Sequence, residues 1–242
     1  MTISRFTALL GRISASLAAG FVLLSSGCSS TRARPEWIQT MAFWDKKEVD
    51  KAYQGQIPAK RVEVLRETAK TMPARSQAEQ QAKAEEWAKA YRDEADPFIR
   101  AELLRAIASC GSPVAGETLG RGQQDPDKSV RIAACEAWAK HGGPTSIAQL
   151  SEITRKDANI DVRLAAVRSL GVVGPQNKDA ALAALASSLD DNDPAIQYRT
   201  IQLMRLISGK DFGDDVNAWR EFAKGGSPAE ISVVQRAKLD VF

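Results

Sequence analysis

Four times between Glu94 and Gln197 the chain repeats one short phrase: an acid, any residue, Asp or Asn, two free positions, Val or Ile, then Arg or Gln. The copies are Glu94-x-Asp96-x-x-Ile99-Arg100, Asp125-x-Asp127-x-x-Val130-Arg131, Asp157-x-Asn159-x-x-Val162-Arg163 and Asp191-x-Asp193-x-x-Ile196-Gln197. Arg100, Arg131, Arg163 and Gln197 stand 31, 32 and 34 residues apart, and the glycines that close each phrase, Gly111, Gly142, Gly174 and Gly209, stand 31, 32 and 35 apart. A period of this size constrains the fold more than any composition does. Each unit is one supersecondary element, too small to bury its apolar side alone and stable only when laid against its neighbours.

Apolar spacing within the units is helical. Val130, Ala133, Ala134, Ala137 and Trp138 recur at three- and four-residue intervals, as do Val162, Ala165, Ala166, Ser169 and Leu170. Each unit therefore reads as a first helix, a tight acidic turn and a second helix beginning at the Val-Arg pair. First helices are expected over 76–93, 113–123, 145–155 and 177–189, and second helices over 97–110, 128–141, 160–173 and 194–208. Pro97 and Pro194 fall in the first turn, where a missing N–H costs nothing. Ahead of the repeats, 59–72 reads as a helix with Val62, Leu65 and Ala69 on one face, stopped by Pro73. On the helix that follows, Ala82, Trp87, Ala90 and Tyr91 read as inward. Two columns follow from the register. Leu104, Cys135, Val167 and Ile201, five after the Val or Ile, are apolar and suit packing between units or a surface open to a partner. Arg105, Glu136, Arg168 and Gln202, six after it, are polar, with Lys140, Tyr198 and Arg205 nearby.

The turn acids have a structural task. Asp96, Asp127, Asn159 and Asp193 are placed to accept from the free N–H groups of the helix that follows. The acids two residues earlier, Glu94, Asp125, Asp157 and Asp191, can reach Arg100, Arg131 or Arg163 of their own or the next unit, giving a ladder of charge-assisted bonds along the turns.

The phrase Asp-x-Asp-x-x-Val-Arg-x-Ala-Ala, with Leu or Trp and a final Gly, resembles the short HEAT-like repeats of phycobilisome lyases and of bacterial HEAT-repeat lipoproteins. The resemblance covers residues 76–209, extending to 59–240 if degenerate caps are counted. It implies an all-α superhelix of antiparallel helix pairs with the Val-Arg helices on the concave side. The repeats are 76–111, 112–142, 143–174 and 175–209 within a domain 59–242. In the last repeat Gln197 replaces Arg and Thr200 replaces Ala, as suits a terminal unit. The segment 210–242 reads as a cap, in which Phe212, Trp219 and Phe222 cover the open end and 227–239 forms a last helix.

The other end carries a different message. Arg5 and Arg12 precede an apolar run of twelve residues, Ile13–Leu24, too short to cross a hydrocarbon core of ~30 Å. Residues 1–27 thus read as a cleaved signal. Ser25-Ser26-Gly27-Cys28 resembles a lipoprotein cleavage site, and that resemblance implies lipid on Cys28 and, with Ser29 after it, a place in the outer membrane facing the periplasm. Residues 28–58 read as a tether. Its Trp37, Ile38, Met41, Phe43 and Trp44 suit either docking on the first helices or the level of the lipid headgroups.

Loss of the signal lowers the formal charge from +3 to +1, which gives no electrostatic case for nucleic acid. Cys110 and Cys135 lie at offsets about 9 Å apart along stacked helices, beyond the ~7 Å that a disulfide bridges, so both read as packing residues. The single histidine, His141, ends an apolar stripe. Neither a metal cluster nor a nucleophile motif is present, and no cofactor is expected. The expected function is a monomeric, non-enzymatic scaffold that binds a protein on the polar column. Two other readings stay open: an enzyme subunit or chaperone akin to the lyases, and a passive envelope spacer.

Overall fold

The computed structural model describes residues 58–231, which form ten α-helices and three short 3-10 turns with no strand among them. The helices are α1 (Pro58–Thr71), α2 (Gln77–Asp93), α3 (Pro97–Ile107), α4 (Pro113–Gly122), α5 (Lys128–His141), α6 (Gly143–Lys156), α7 (Ile160–Val173), α8 (Lys178–Ala186), α9 (Pro194–Ser208) and α10 (Val216–Ala223). Odd-numbered helices pack one on the next from α1 to α9. In a second layer α2 packs on α4, α6 on α8 and α8 on α10. This is the expected α-solenoid of helix pairs, with the Val-Arg helices together in the odd-numbered layer.

Local chemistry places each second helix. Asp96 accepts from the Phe98 N–H at 2.9 Å, Asp127 from Ser129 at 2.7 Å, Asn159 from Asp161 at 2.9 Å and Asp193 from Ala195 at 2.8 Å. Each cap satisfies one orphan donor and is worth about 1 kcal/mol. Alanines at the middle of the helices, Ala133, Ala134, Ala165 and Ala166, are buried and let neighbouring backbones approach. Leu104, Cys135, Val167 and Ile201 are buried throughout, so this column is inter-unit core and none of it is open to a partner. Cys110 and Cys135 are free thiols. Burial pushes both up, Cys135 to about 12.

Several expectations need correction. The helix expected to reach Cys110 ends at Ile107. There the N–H groups of Ser109 and Cys110 turn to carbonyls three residues back, Ala106 and Ile107. The helix over 177–189 is interrupted after Ala186 by a 3-10 turn, Ser187–Asp190. On α2, Ala82 is exposed, and Ala84 and Ala88 take the inward places. Only two of the four closing glycines are left-handed, Gly142 and Gly209, both at φ 75°. Gly174 is right-handed at φ −58° and is needed for space, because a Cβ there would run into Ile207. Gly111 donates its N–H to Gln80 Oε1 at 2.7 Å.

Beyond α9 the chain folds a cap. Trp219 is fully buried, meets Phe212 and Phe222 edge-on, and donates its indole N–H to the Gly213 carbonyl at 2.8 Å. The expected last helix does not begin at Ser227: residues 227–231 are not helical, and the Ile231 N–H donates to the Asp211 carbonyl at 2.9 Å. The signal, Cys28, the tether with its aromatics, and residues 232–242 lie outside the described residues.

Candidate partner-binding groove

The turns are cross-linked in one direction. Arg100 grips Asp125 of the following unit through Nε and Nη2, both at 2.9 Å. Arg131 holds Asp157 at 2.8 and 3.3 Å, and Arg163 holds Asp191 at 2.8 and 3.1 Å. The remaining guanidinium nitrogen turns back to its own turn, on the carbonyls of Ala95, Asp125 and Asp157. Each acid also accepts the backbone N–H two residues on, from Asp127, Asn159 and Asp193. A further rung comes from α1, where Arg61 pairs with Glu94. Among the described residues, the Gln197 side chain reaches only its own Asp191 carbonyl, at 2.7 Å. Burial alone would raise the Asp125 and Asp191 carboxyls, but the guanidiniums of Arg100 and Arg163 and the turn N–H groups outweigh it and hold both below their ordinary value. With every bond internal, the ladder orders the stack and offers little to a ligand.

The polar column meets different fates along the odd-numbered layer. Arg105 is bound at 2.8 Å to Glu136 and at 3.0 Å to Glu102, whose buried carboxylate also accepts from Nε and Nη2 of Arg66 at 2.8 and 2.9 Å. The Arg66 hydrogen bond is the main cause that holds Glu102 below its ordinary value. At the far end, Arg205 is turned into the cap, on Asp211 at 2.9 Å and the Gly213 carbonyl at 3.1 Å. Gln202 accepts from Arg199 at 3.0 Å. Arg168 is exposed and has no hydrogen bond or ion pair among the described residues. Among the described residues Lys140 reaches only the Arg105 carbonyl, at 3.4 Å, and loss of water lowers its ammonium below the ordinary value. Tyr198 is 54% exposed.

Between α5 and α7, Glu136, Lys140 and Arg168 border an open groove of about 640 Å³, while Arg105, Tyr198, Gln202 and Arg205 do not line it. One wall is Ile132, Glu136 and Lys140, and the other is Leu164, Arg168 and Val172. Sequence reasoning missed the apolar half of this site. Ile132 and Leu164 stand two after their Val, in register with Tyr198. Val172 and Leu206 stand ten after the Val or Ile and are 66% and 72% exposed. The signal was available as two more columns in the same register.

His141, at the end of α5, is half-buried with its ring edge-on to Trp138 at 5.9 Å between centroids, and burial lowers its pKa. Among the described residues no group of three or more His, Cys, Asp and Glu side chains could hold a metal ion, and no helix is long and apolar enough to cross a membrane. A family model for HEAT repeats matches residues 84–171, from the middle of α2 to near the end of α7. No curated protein matches the chain.

Proposed function

Since residues 84–171 are HEAT repeats and the same helix pair recurs on either side of them, we propose that the chain is a non-catalytic protein-binding scaffold. HEAT repeats suggest a protein-interaction scaffold in general. The finer reading sets the contact on the odd-numbered face, in the α5–α7 groove, and sets the protein in a bacterial cell envelope by a lipid on Cys28. One observation carries the groove: Val172, 66% exposed, stands on its wall with the partly exposed Ile132 and Leu164, where a folded chain gains nothing from them. The short apolar run ahead of Cys28 supports the anchor.

A photo-cross-linking amino acid placed at Val172 in the native cell is expected to capture a small set of proteins, and the same probe at exposed Lys89 on α2 none of them. Equal yields at both positions would overturn the groove. Detergent partitioning of Cys28→Ala tests the anchor, and an unchanged membrane fraction would overturn it.

A further inference from the structure

Every carboxylate on the rim of the α5–α7 groove is already taken. Asp161 holds Lys128 at 2.7 Å at one end, and Glu136 holds Arg105 at 2.8 Å. Beyond the rim, Glu102 is closed off by Arg66 and Arg105. Two cations facing the same space, Lys140 and Arg168, have no carboxylate among the described residues. The groove therefore combines apolar side chains, Ile132 on one wall and Leu164 and Val172 on the other, with two uncommitted positive charges, one on each wall.

The walls also have a length and a direction. Leu164, Arg168 and Val172 follow one another at intervals of four along α7, and Ile132, Glu136 and Lys140 do the same along α5. Leu164 to Val172 is eight residues, about 12 Å along the axis. A second helix laid along the groove meets it with apolar residues two turns apart and with acidic residues on either flank.

We infer that the groove takes an acidic amphipathic helix of a partner protein, its apolar stripe between Ile132, Leu164 and Val172 and its carboxylates on Lys140 and Arg168. The inference rests on the scaffold reading and names the chemistry of its ligand. Charge complementarity selects the partner and orients it, and the apolar side chains of the walls hold it.

The test is a display library of 20-residue peptides with a fixed amphipathic leucine stripe and flanks randomised among Asp, Glu, Lys, Arg, Ser and Gln, selected on the full chain in neutral detergent micelles. The expected consensus is acidic on both flanks. Its binding should weaken with added salt, and by about tenfold in each of Arg168→Glu and Lys140→Glu, two surface changes that leave the urea midpoint where it was. A basic or uncharged consensus, or binding indifferent to both reversals, overturns the inference. If such peptides nonetheless block cross-linking at Val172 in cells, the scaffold reading stands while the acidic helix falls. If neither peptides nor cross-links appear at the groove, both fall. A chain that sediments as a dimer dissociated by Arg168→Glu makes the occupant a second copy and also overturns it.

Discussion

The face built by the odd-numbered helices is two surfaces joined at α5. From α1 to α5 it is closed: Arg66, Glu102, Arg105 and Glu136 run as one connected chain of ion pairs, with the Glu102 carboxylate buried at its centre. From α5 to α9 the position of Arg105 and Glu136 holds Arg168, unpaired among the described residues, and Tyr198, Val172 and Leu206 stand exposed nearby. A repeat fixes where a side chain stands, and its partners decide what it is for. Three residues after the Ile or Val stands Glu102 in one unit and Ala133 or Ala165 in the next two. That one carboxylate draws in Arg66 from α1 and Arg105 from its own helix, and its absence farther on leaves the surface open.

The contrast can be broken from either side. The largest effect is expected at the edge of the closed half, from Asp125→Ala. This change strands the Arg100 guanidinium and the buried Tyr91 hydroxyl, which donates to Asp125 at 2.9 Å. Urea unfolding should show a loss of about 3 kcal/mol, and a loss below about 1 would mean the turn ladder contributes little.

Glu102→Gln should cost about 2 kcal/mol by removing a charge that two arginines share. It should also flatten the acid limb of the stability profile. Because the folded carboxyl sits below its ordinary value, its contribution is complete above the unfolded value of about 4.3 and drains away as pH falls toward the folded one. The wild type should therefore lose stability below about pH 4 more steeply than the variant. Parallel profiles would show that Glu102 is not the residue responsible.

In the open half, Thr200 has a buried hydroxyl with no hydrogen-bond partner among the described residues, where other units carry Ala134 and Ala166. Thr200→Val keeps the volume and should raise stability by about 1 kcal/mol, and a destabilised variant would mean the hydroxyl is satisfied after all. The smallest effect belongs to Arg168→Glu. It should shift the urea midpoint by no more than about 0.5 kcal/mol equivalent, and a larger shift would show that Arg168 serves the fold.

The period, the helix pairs and the N-cap residues were legible because each rests on chemistry within a few residues. Helix boundaries matched at Lys128 and Pro194, where a cap or proline marks them, but the helix expected from 145 begins at Gly143, and none begins at Ser227. They failed at α3, whose last turn tightens on its own backbone with no residue to announce it. The closing glycines were legible as glycines but not in their reasons, since Gly142 and Gly209 supply backbone geometry and Gly174 supplies room for Ile207 from another unit. The ladder's direction was open in the sequence, because each Arg has one acid six residues before it in its own turn and another 25 to 28 residues after it in the next, and only the offset between stacked turns decides between them. Residues Ile132 and Leu164 escaped notice for a different reason. An apolar position in strict register reads as core, and whether it is covered depends on how far apart α5 and α7 stand.

The rungs along the turns all point toward the C-terminus, and the series stops at Gln197, which reaches no further than its own turn. Copy number is therefore punctuated by one residue. An internal duplication of the stretch from Asp127 to Ala158 would carry both halves of a rung with it, while an extra hairpin grafted after Ser208 would meet a full stop. Arrays of this kind are expected to lengthen from the middle, and restoring arginine at 197 together with an acid in the next turn is the smallest edit that would let one grow at its end.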